Sequence, residues 1–264
     1  MGPRGVHGGR LPLVERIESR EELARLADGD PWVRWVVPAE PPQAWFDGQV
    51  AVIRRGGTRP GYWVTRLDRE AVTAEALTPA LSWLAESGLL EQEGIGAISA
   101  PQEHAALLES LLGLTEGGDW EWMWTATPPD VDPRESDVVE LDDLVDGPQI
   151  EAFSRANNPR VWTEIGTGRM QDWLGLRDAA GELIAVGGAD REATGVPHLA
   201  GIVTALERRR EGLGSVISAA LTRRALARHG VCTLGMFSDN DTARRVYHRL
   251  GYRTGRAWAS RRLP

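Results

Sequence analysis

Lysine is absent from all 264 residues, so every one of the 30 positive residues is an arginine. That excludes a phosphate loop of the Gly-Lys-Ser/Thr type, a Schiff-base lysine and a lysine general base. Cysteine occurs once, at Cys232, which excludes an intramolecular disulfide framework and a cysteine-clustered zinc or iron–sulfur site. The five histidines are scattered, with neither His-x-x-x-His nor His-x-Glu spacing, so no metal is expected. Gly-x-Ser-x-Gly is missing, and with it the serine turn of one large hydrolase class. No run of 18 apolar residues exists, so no membrane span is expected. Met1–Arg10 has no apolar h-region and reads as a flexible N-terminus rather than a secretory signal. The expected compartment is cytoplasmic.

What is present suffices for a core: 42% of residues are hydrophobic and 26% charged, over a length that suits two modest domains. Charge is uneven. Residues 1–133 hold 11 arginines against 21 acids, whereas residues 207–264 hold 13 arginines against 4 acids. The basic end is either a solvated helix surface or a field for a small polyanion; a long duplex would be repelled by the acidic remainder.

Three prolines and two aspartates in Thr127–Pro133 place a linker at 127–133. It divides an 11–126 domain from a 134–264 domain. The first reads as mixed α and β. Ser19-Arg20-Glu21-Glu22 fits a capping box, Trp32–Val37, Gln49–Ile53 and Tyr62–Leu67 read as strands, and Thr78-Pro79 reads as the start of a helix. Pro38–Pro42 reads as a loop. Trp120, Trp122 and Trp124 alternate, putting three indoles on one face of a strand, as a core, an interface or a pocket wall. In the second domain, Trp173–Arg177, Leu183–Gly187 and His198–Thr204 read as strands. A helix over Leu213–His229, a buried strand over Val231–Phe237, a helix carrying Ala243, Val246, Tyr247 and Leu250, and a last strand over Arg253–Ser260 follow. No sequence repeat between the halves is convincing.

The most informative segment is Arg209-Arg210-Glu211-Gly212-Leu213-Gly214, between a strand and a helix. Two glycines let the backbone approach a ligand, and successive N–H groups then point into one hollow at the positive end of the helix. The segment reads as a pyrophosphate cradle or as an ordinary glycine-rich helix start. It is not the dinucleotide fingerprint, because Ile217 stands where a third glycine or alanine belongs.

Arg209, Gly212 and Gly214 meet the pattern Arg/Gln-x-x-Gly-x-Gly/Ala, and Asn240, Ala243, Tyr247 and Gly251-Tyr252 follow in order on the next elements. In these residues the sequence resembles the GNAT acyltransferase superfamily, over roughly Asp137 to Trp258. The resemblance implies an α/β (α+β mixed sheet) fold: a C-terminal GNAT-like acyltransferase domain with a second mixed α/β N-terminal domain, for which a degenerate GNAT-like copy without the phosphate turn is one reading. It implies acetyl-CoA as co-substrate. Its diphosphate would be held at Arg209, Arg210, Glu211, Gly212, Leu213, Gly214 and Ser215, and its arm along Ile202, Val203 and Thr204 with Asn240 in contact. Asn240 also reads as a helix cap.

Tyr247 is the candidate general acid, since a phenol near pKa ~10 can donate to a thiolate whose conjugate acid lies near ~8.5; packing is the competing reading. Many members carry a base glutamate on the strand before the turn, and His198–Thr204 has no carboxylate. His198, Glu164, Asp172, Asp190 and Glu192 are the alternatives. Cys232 reads as core. The function implied is transfer of an acetyl group to a primary amine of a small molecule or peptide in a ternary complex. A non-catalytic CoA-binding regulatory protein is the alternative, and nucleic-acid binding a distant third. Expected partners are the amine acceptor and, through the first half, a second copy of the chain, with no nucleic acid and no membrane.

Overall fold

The computed structural model describes residues 14–38, 43–56, 60–68 and 70–263, so the expectations for 1–10 and for the loop centre at 39–42 lie outside the described residues. The chain forms two compact units, Met1–Gly118 with Trp258–Pro264, and Asp119–Ala257.

In the first half, β1 (Glu15–Ile17), α1 (Arg20–Leu26) and α2 (Pro31–Trp35) precede β2 (Ala44–Phe46), β3 (Ala51–Arg55) and β4 (Gly61–Thr65). Then come α3 (Ala74–Glu86), α4 (Leu89–Gln92), β5 (Ala97–Pro101), α5 (Ala105–Leu112) and β6 (Gly117–Thr125). The second half runs β7 (Val139–Leu141), α6 (Gly147–Asn157), β8 (Asp172–Arg177), β9 (Leu183–Arg191) and β10 (Pro197–Thr204). It ends with α7 (Leu213–His229), β11 (Cys232–Phe237), α8 (Asp241–Arg249) and β12 (Arg253–Arg262).

Strand pairing repeats. In the first unit the order is β1-β2-β3-β4-β5, antiparallel except for β4 with β5. In the second it is β7-β8-β9-β10-β11, antiparallel except for β10 with β11. A parallel neighbour requires a crossover, which α3 and α7 provide. Each unit then takes an antiparallel sixth strand from the other half of the chain: Trp258–Arg262 of β12 pairs with β5, and β6 pairs with β11. The two halves therefore share one topology that their residues no longer display. The second unit accordingly starts at Asp119, ahead of the expected 127–133 linker, because β6 is laddered to β11 from Thr125↔Cys232 to Trp120↔Phe237.

Two local expectations change. Trp32–Val37 is not a strand: Asp30 caps the N–H of Val33 at 3.0 Å and Pro31 occupies the first turn, so the apolar run is wound as α2. The helix expected from Thr78 begins at Ala74, where the Thr73 hydroxyl accepts from Ala76 N–H, and Pro79 lies inside it.

In the second unit α7 buries Val216, Ile217, Ala220 and Leu221 against Leu174, Ala185, Leu199 and Leu234 on one face of the sheet. On the other face α6 sets Ile150 against Trp173, Val186 and Val203. Each such buried aliphatic side chain contributes roughly 1.5–3 kcal/mol before entropy is counted, so β10 is gripped from both faces.

Candidate functional site

The turn before α7 is built from unusual backbone. Gly212, the N-cap, has φ +82°, and Arg210 has φ +71°, a left-handed conformation that costs an L-residue about 1–2 kcal/mol. No side chain caps the helix. The Gly212 carbonyl already accepts from Ser215 and Val216 at 3.0 and 3.2 Å. Among the described residues, the N–H groups from Arg209 to Gly214 donate to no backbone carbonyl. Those donors converge at the positive end of a 17-residue helix. A Cβ at Gly214 would lie 3.2 Å from Thr204 Oγ1, and one at Gly212 would lie 3.2 Å from Arg134 Nη2, so the glycines keep the hollow open.

Arginines around it are engaged within the protein. Arg208 pairs with Glu211 at 2.9 Å, and Arg209 Nη2 donates to the Asn157 carbonyl at 2.7 Å. Arg134, which belongs to no motif of the chain, donates to the Glu211 carbonyl at 2.7 Å from across the unit. Arg134 in turn binds Asp132 and holds that carboxyl down at about 2. Ser215 is brought to the turn, but its N–H is engaged by Gly212. Leu213 is buried and offers backbone only.

Beside the turn the sheet forks. β10 and β11 pair at His198↔Thr233 and Leu199↔Leu234, and the ladder stops there. β10 then bulges between Ala200 and Val203, where Gly201 has φ +66° and a Cβ would meet the Trp173 ring at 2.7 Å. β11 continues along β6 to Phe237. The facing edges of residues 200–204 and 235–237 are left to other partners. Thr204 and Ile202 stand beside Gly214 at the turn, whereas Val203 is buried on the other face, towards α6. Asn240 caps α8, its Oδ1 accepting from Ala243 N–H at 3.0 Å.

Tyr247 lies on α8 in the main core cluster, 8% exposed, with its ring 5.8 Å from that of Tyr252. Burial pushes its phenol up to about 12. The carboxylates considered as bases separate clearly. Asp172 pairs with Arg228 at 2.8 Å, Asp190 with Arg169 at 2.7 Å and Glu164 with Arg169 at 3.5 Å. Glu192 instead faces His198, Oε1 to Nδ1 at 2.8 Å. Arg160 reaches from the loop after α6 onto the end of β11, 4.0 Å above the Phe237 ring and 2.8 Å from Asp239. Cys232 is buried, which pushes its thiol up to about 12. Among the described residues no helix is long and apolar enough to cross a membrane.

A six-stranded mixed sheet that forks beside an uncapped helix N-terminus is the GNAT fold, and solved structures of that fold align with nearly the whole chain. Residues 173–263 match the FR47-like protein family model. A GCN5-related N-acetyltransferase from Sphaerobacter thermophilus is similar over 95% of this chain and 95% of its own, at 12% identity and TM-score 0.58. One from Kribbella flavida is similar over 92% and 95%, at 17% identity and TM-score 0.54. A Drosophila protein is similar over 96% and 99%, at 13% identity and TM-score 0.61. At these identities the likeness is one of fold. No curated protein matches the sequence.

Proposed function

We propose that the protein is an acyl-CoA-dependent N-acyltransferase that moves acetyl from acetyl-CoA to a primary amine of a small molecule or peptide by direct attack in a ternary complex. The observation that carries this reading is the cradle: free backbone N–H groups from Arg210 to Gly214, opened by Gly212 and Gly214, beside a strand edge that β11 has left. Those donors suit a diphosphate, and the edge at Ile202, Val203 and Thr204 suits an extended amide-bearing arm. When bound, acetyl-CoA supplies an activated acyl group and a thiol leaving group.

The chain's own residues then do three things. The cradle fixes the donor, and fixed geometry alone contributes several kcal/mol to acyl transfer. Beyond the Leu199↔Leu234 pair the β10 edge no longer pairs with β11, and a backbone N–H there would face a developing oxyanion. Tyr247, whose phenol burial raises to about 12, keeps its proton at neutral pH and is the candidate donor to the departing sulfur. The chain's formal net charge of −8 favours a cationic acceptor.

Two measurements test this. Calorimetry is expected to show saturable acetyl-CoA binding, and thiol release from acetyl-CoA is expected with at least one member of an amine panel. Binding without turnover across a broad panel would leave a CoA-responsive regulator instead, and absence of binding would overturn the reading altogether.

A further inference from the structure

We infer that His198, oriented by Glu192, is the base that takes a proton from the acceptor amine, and that the amine nitrogen seats above Gly235, between the imidazole and Trp120. This rests on the acyl-transfer reading and adds to it the acceptor's place and the residue that prepares it.

Strand geometry sets the location. A strand rises about 3.3 Å per residue, so an arm laid from the cradle along Thr204 to Ala200 runs about 13 Å before the fork closes. The closure is the Leu199↔Leu234 pair, and the next residue inward is His198. Side chains alternate across a sheet, and Leu199 belongs to the α7-side core, so His198 stands on the opposite face. Gly235 is on that face too. A Cβ there would lie 3.5 Å from His198 Nε2 and 3.8 Å from the Trp120 ring. Glycine therefore leaves a space about the size of a methyl or ammonium group, floored by backbone, with an imidazole nitrogen on one side and an indole on the other. Trp120 belongs to the alternating row on β6, and its partner in register is Phe237.

The imidazole is held by one edge. Nδ1 lies 2.8 Å from Glu192 Oε1 and 3.0 Å from Thr233 Oγ1. The Thr233 hydroxyl has the Pro197 carbonyl to donate to at 3.1 Å, and Trp122 Nε1–H donates to Glu192 Oε1 at 3.4 Å. The network assigns the proton on Nδ1 to Glu192 and leaves the lone pair of Nε2 facing the gap. Burial opposes a charge on His198, but Glu192, and more distantly Asp190, favour it strongly enough to raise the pKa above the usual 6.5. Asp190 is itself bound by Arg169, which also pairs with Glu164, so Glu192 is the carboxylate in contact with the ring.

The proton step balances simply. Neutral Nε2 accepts one proton from R–NH3+, giving R–NH2 with its lone pair exposed and an imidazolium whose Nδ1–H stays on Glu192. Water removes the proton before the next cycle.

The first test needs no turnover. NMR titration of His198 in the free protein is expected to give a pKa above 6.5, and Glu192→Gln is expected to lower it by at least one unit, a tenfold change in protonation. Millimolar benzylamine is expected to shift the His198 and Trp120 ring signals in the wild type. In Gly235→Ala, whose methyl makes ordinary contacts and leaves the backbone unstrained, it is expected not to. With the best amine of the panel, His198→Gln is expected to cut turnover about 100-fold. Its acetyl-CoA affinity should stay within twofold, and the rising limb of the wild-type pH–rate profile should be lost. In Glu192→Gln that limb should move to lower pH. A His198 pKa indifferent to Glu192, benzylamine shifts absent from both rings, or wild-type turnover in His198→Gln would each overturn this assignment while leaving donor binding intact. Loss of acetyl-CoA binding in the wild type would instead strike the reading beneath it.

Discussion

The two units run the same course from strand to crossover helix to parallel strand, and only one of them ends that course in a hollow. In the first unit, β4 leads through Arg66, Asp68 and Glu70, which are tied to one another, to a helix whose N-terminus is closed by the Thr73 hydroxyl. In the second, β10 leads to Gly212, with no side-chain cap and with donors to spare. The space beside β4 is filled as well: the Trp63 and Trp258 rings lie 5.0 and 5.1 Å from Trp32. The corresponding part of the second unit has glycines at 201 and 235. One topology is thus closed by side chains in one copy and left open in the other. What distinguishes them is where side chains have been withheld.

The sharpest way to break that comparison is to close the open copy. Gly212→Val forces a β-branched residue to φ +82° and aims its side chain at Arg134, so acetyl-CoA affinity is expected to fall by at least about 100-fold, equivalent to about 2.7 kcal/mol. Calorimetry on the variant, with circular dichroism to confirm the fold, checks this; unchanged affinity would mean the cradle is not where the diphosphate binds. Tyr247→Phe comes next. It removes one hydroxyl and keeps the ring on Tyr252, so kcat is expected to fall roughly 10- to 100-fold while acetyl-CoA affinity stays within twofold. A kcat at the wild-type level would make Tyr247 a packing residue, as its burial alone would allow.

How much of this was readable in advance depends on whether the deciding interaction is local. Helix α7 was legible to the residue, because Gly212 and Gly230 bracket it and both adopt positive φ. The row of Trp120, Trp122 and Trp124 was legible as one strand face, since alternation is a property of the strand itself. The run Trp-Val-Arg-Trp-Val misled because short apolar runs suit both periods, although the Asp30-Pro31 start was the available signal for a helix. The exchange of β6 and β12 was not legible at all: strand pairing across the chain leaves no mark in either segment. The site divides in the same way. Gly212 and Gly214 stand in one short motif. Arg134 reaches Glu211 only through the folded unit, and Glu192 meets His198 because the β9–β10 hairpin returns it there.

A smaller effect sharpens the comparison from the packed copy. Thr73→Ala removes the cap of α3, and loss of such a cap costs about 1 kcal/mol. The expected result is a Tm lowered by a few degrees with acetyl-CoA affinity unchanged, because that helix N-terminus is closed by a side chain of the protein itself. A matching loss of acetyl-CoA affinity would show that the first unit's helix start shares in donor binding, and the division of labour between the copies would fail.

The smallest effect concerns the loop after α6. Arg160 covers Phe237 at 4.0 Å and pairs with Asp239 at 2.8 Å, a contact that looks like a clamp on the end of β11. Both charged side chains are more than half exposed, at 53% and 66%, so water screens the pair and its worth is about 0–1 kcal/mol. Arg160→Ala is therefore expected to shift Tm by no more than about 2–4 °C and to leave the fold of the second unit intact. A collapse of stability in this variant would mean that the open copy is held together by its loop rather than by the α6 and α7 faces of its sheet. In that case the fork would be a consequence of the clamp and not of the Ala200–Val203 bulge.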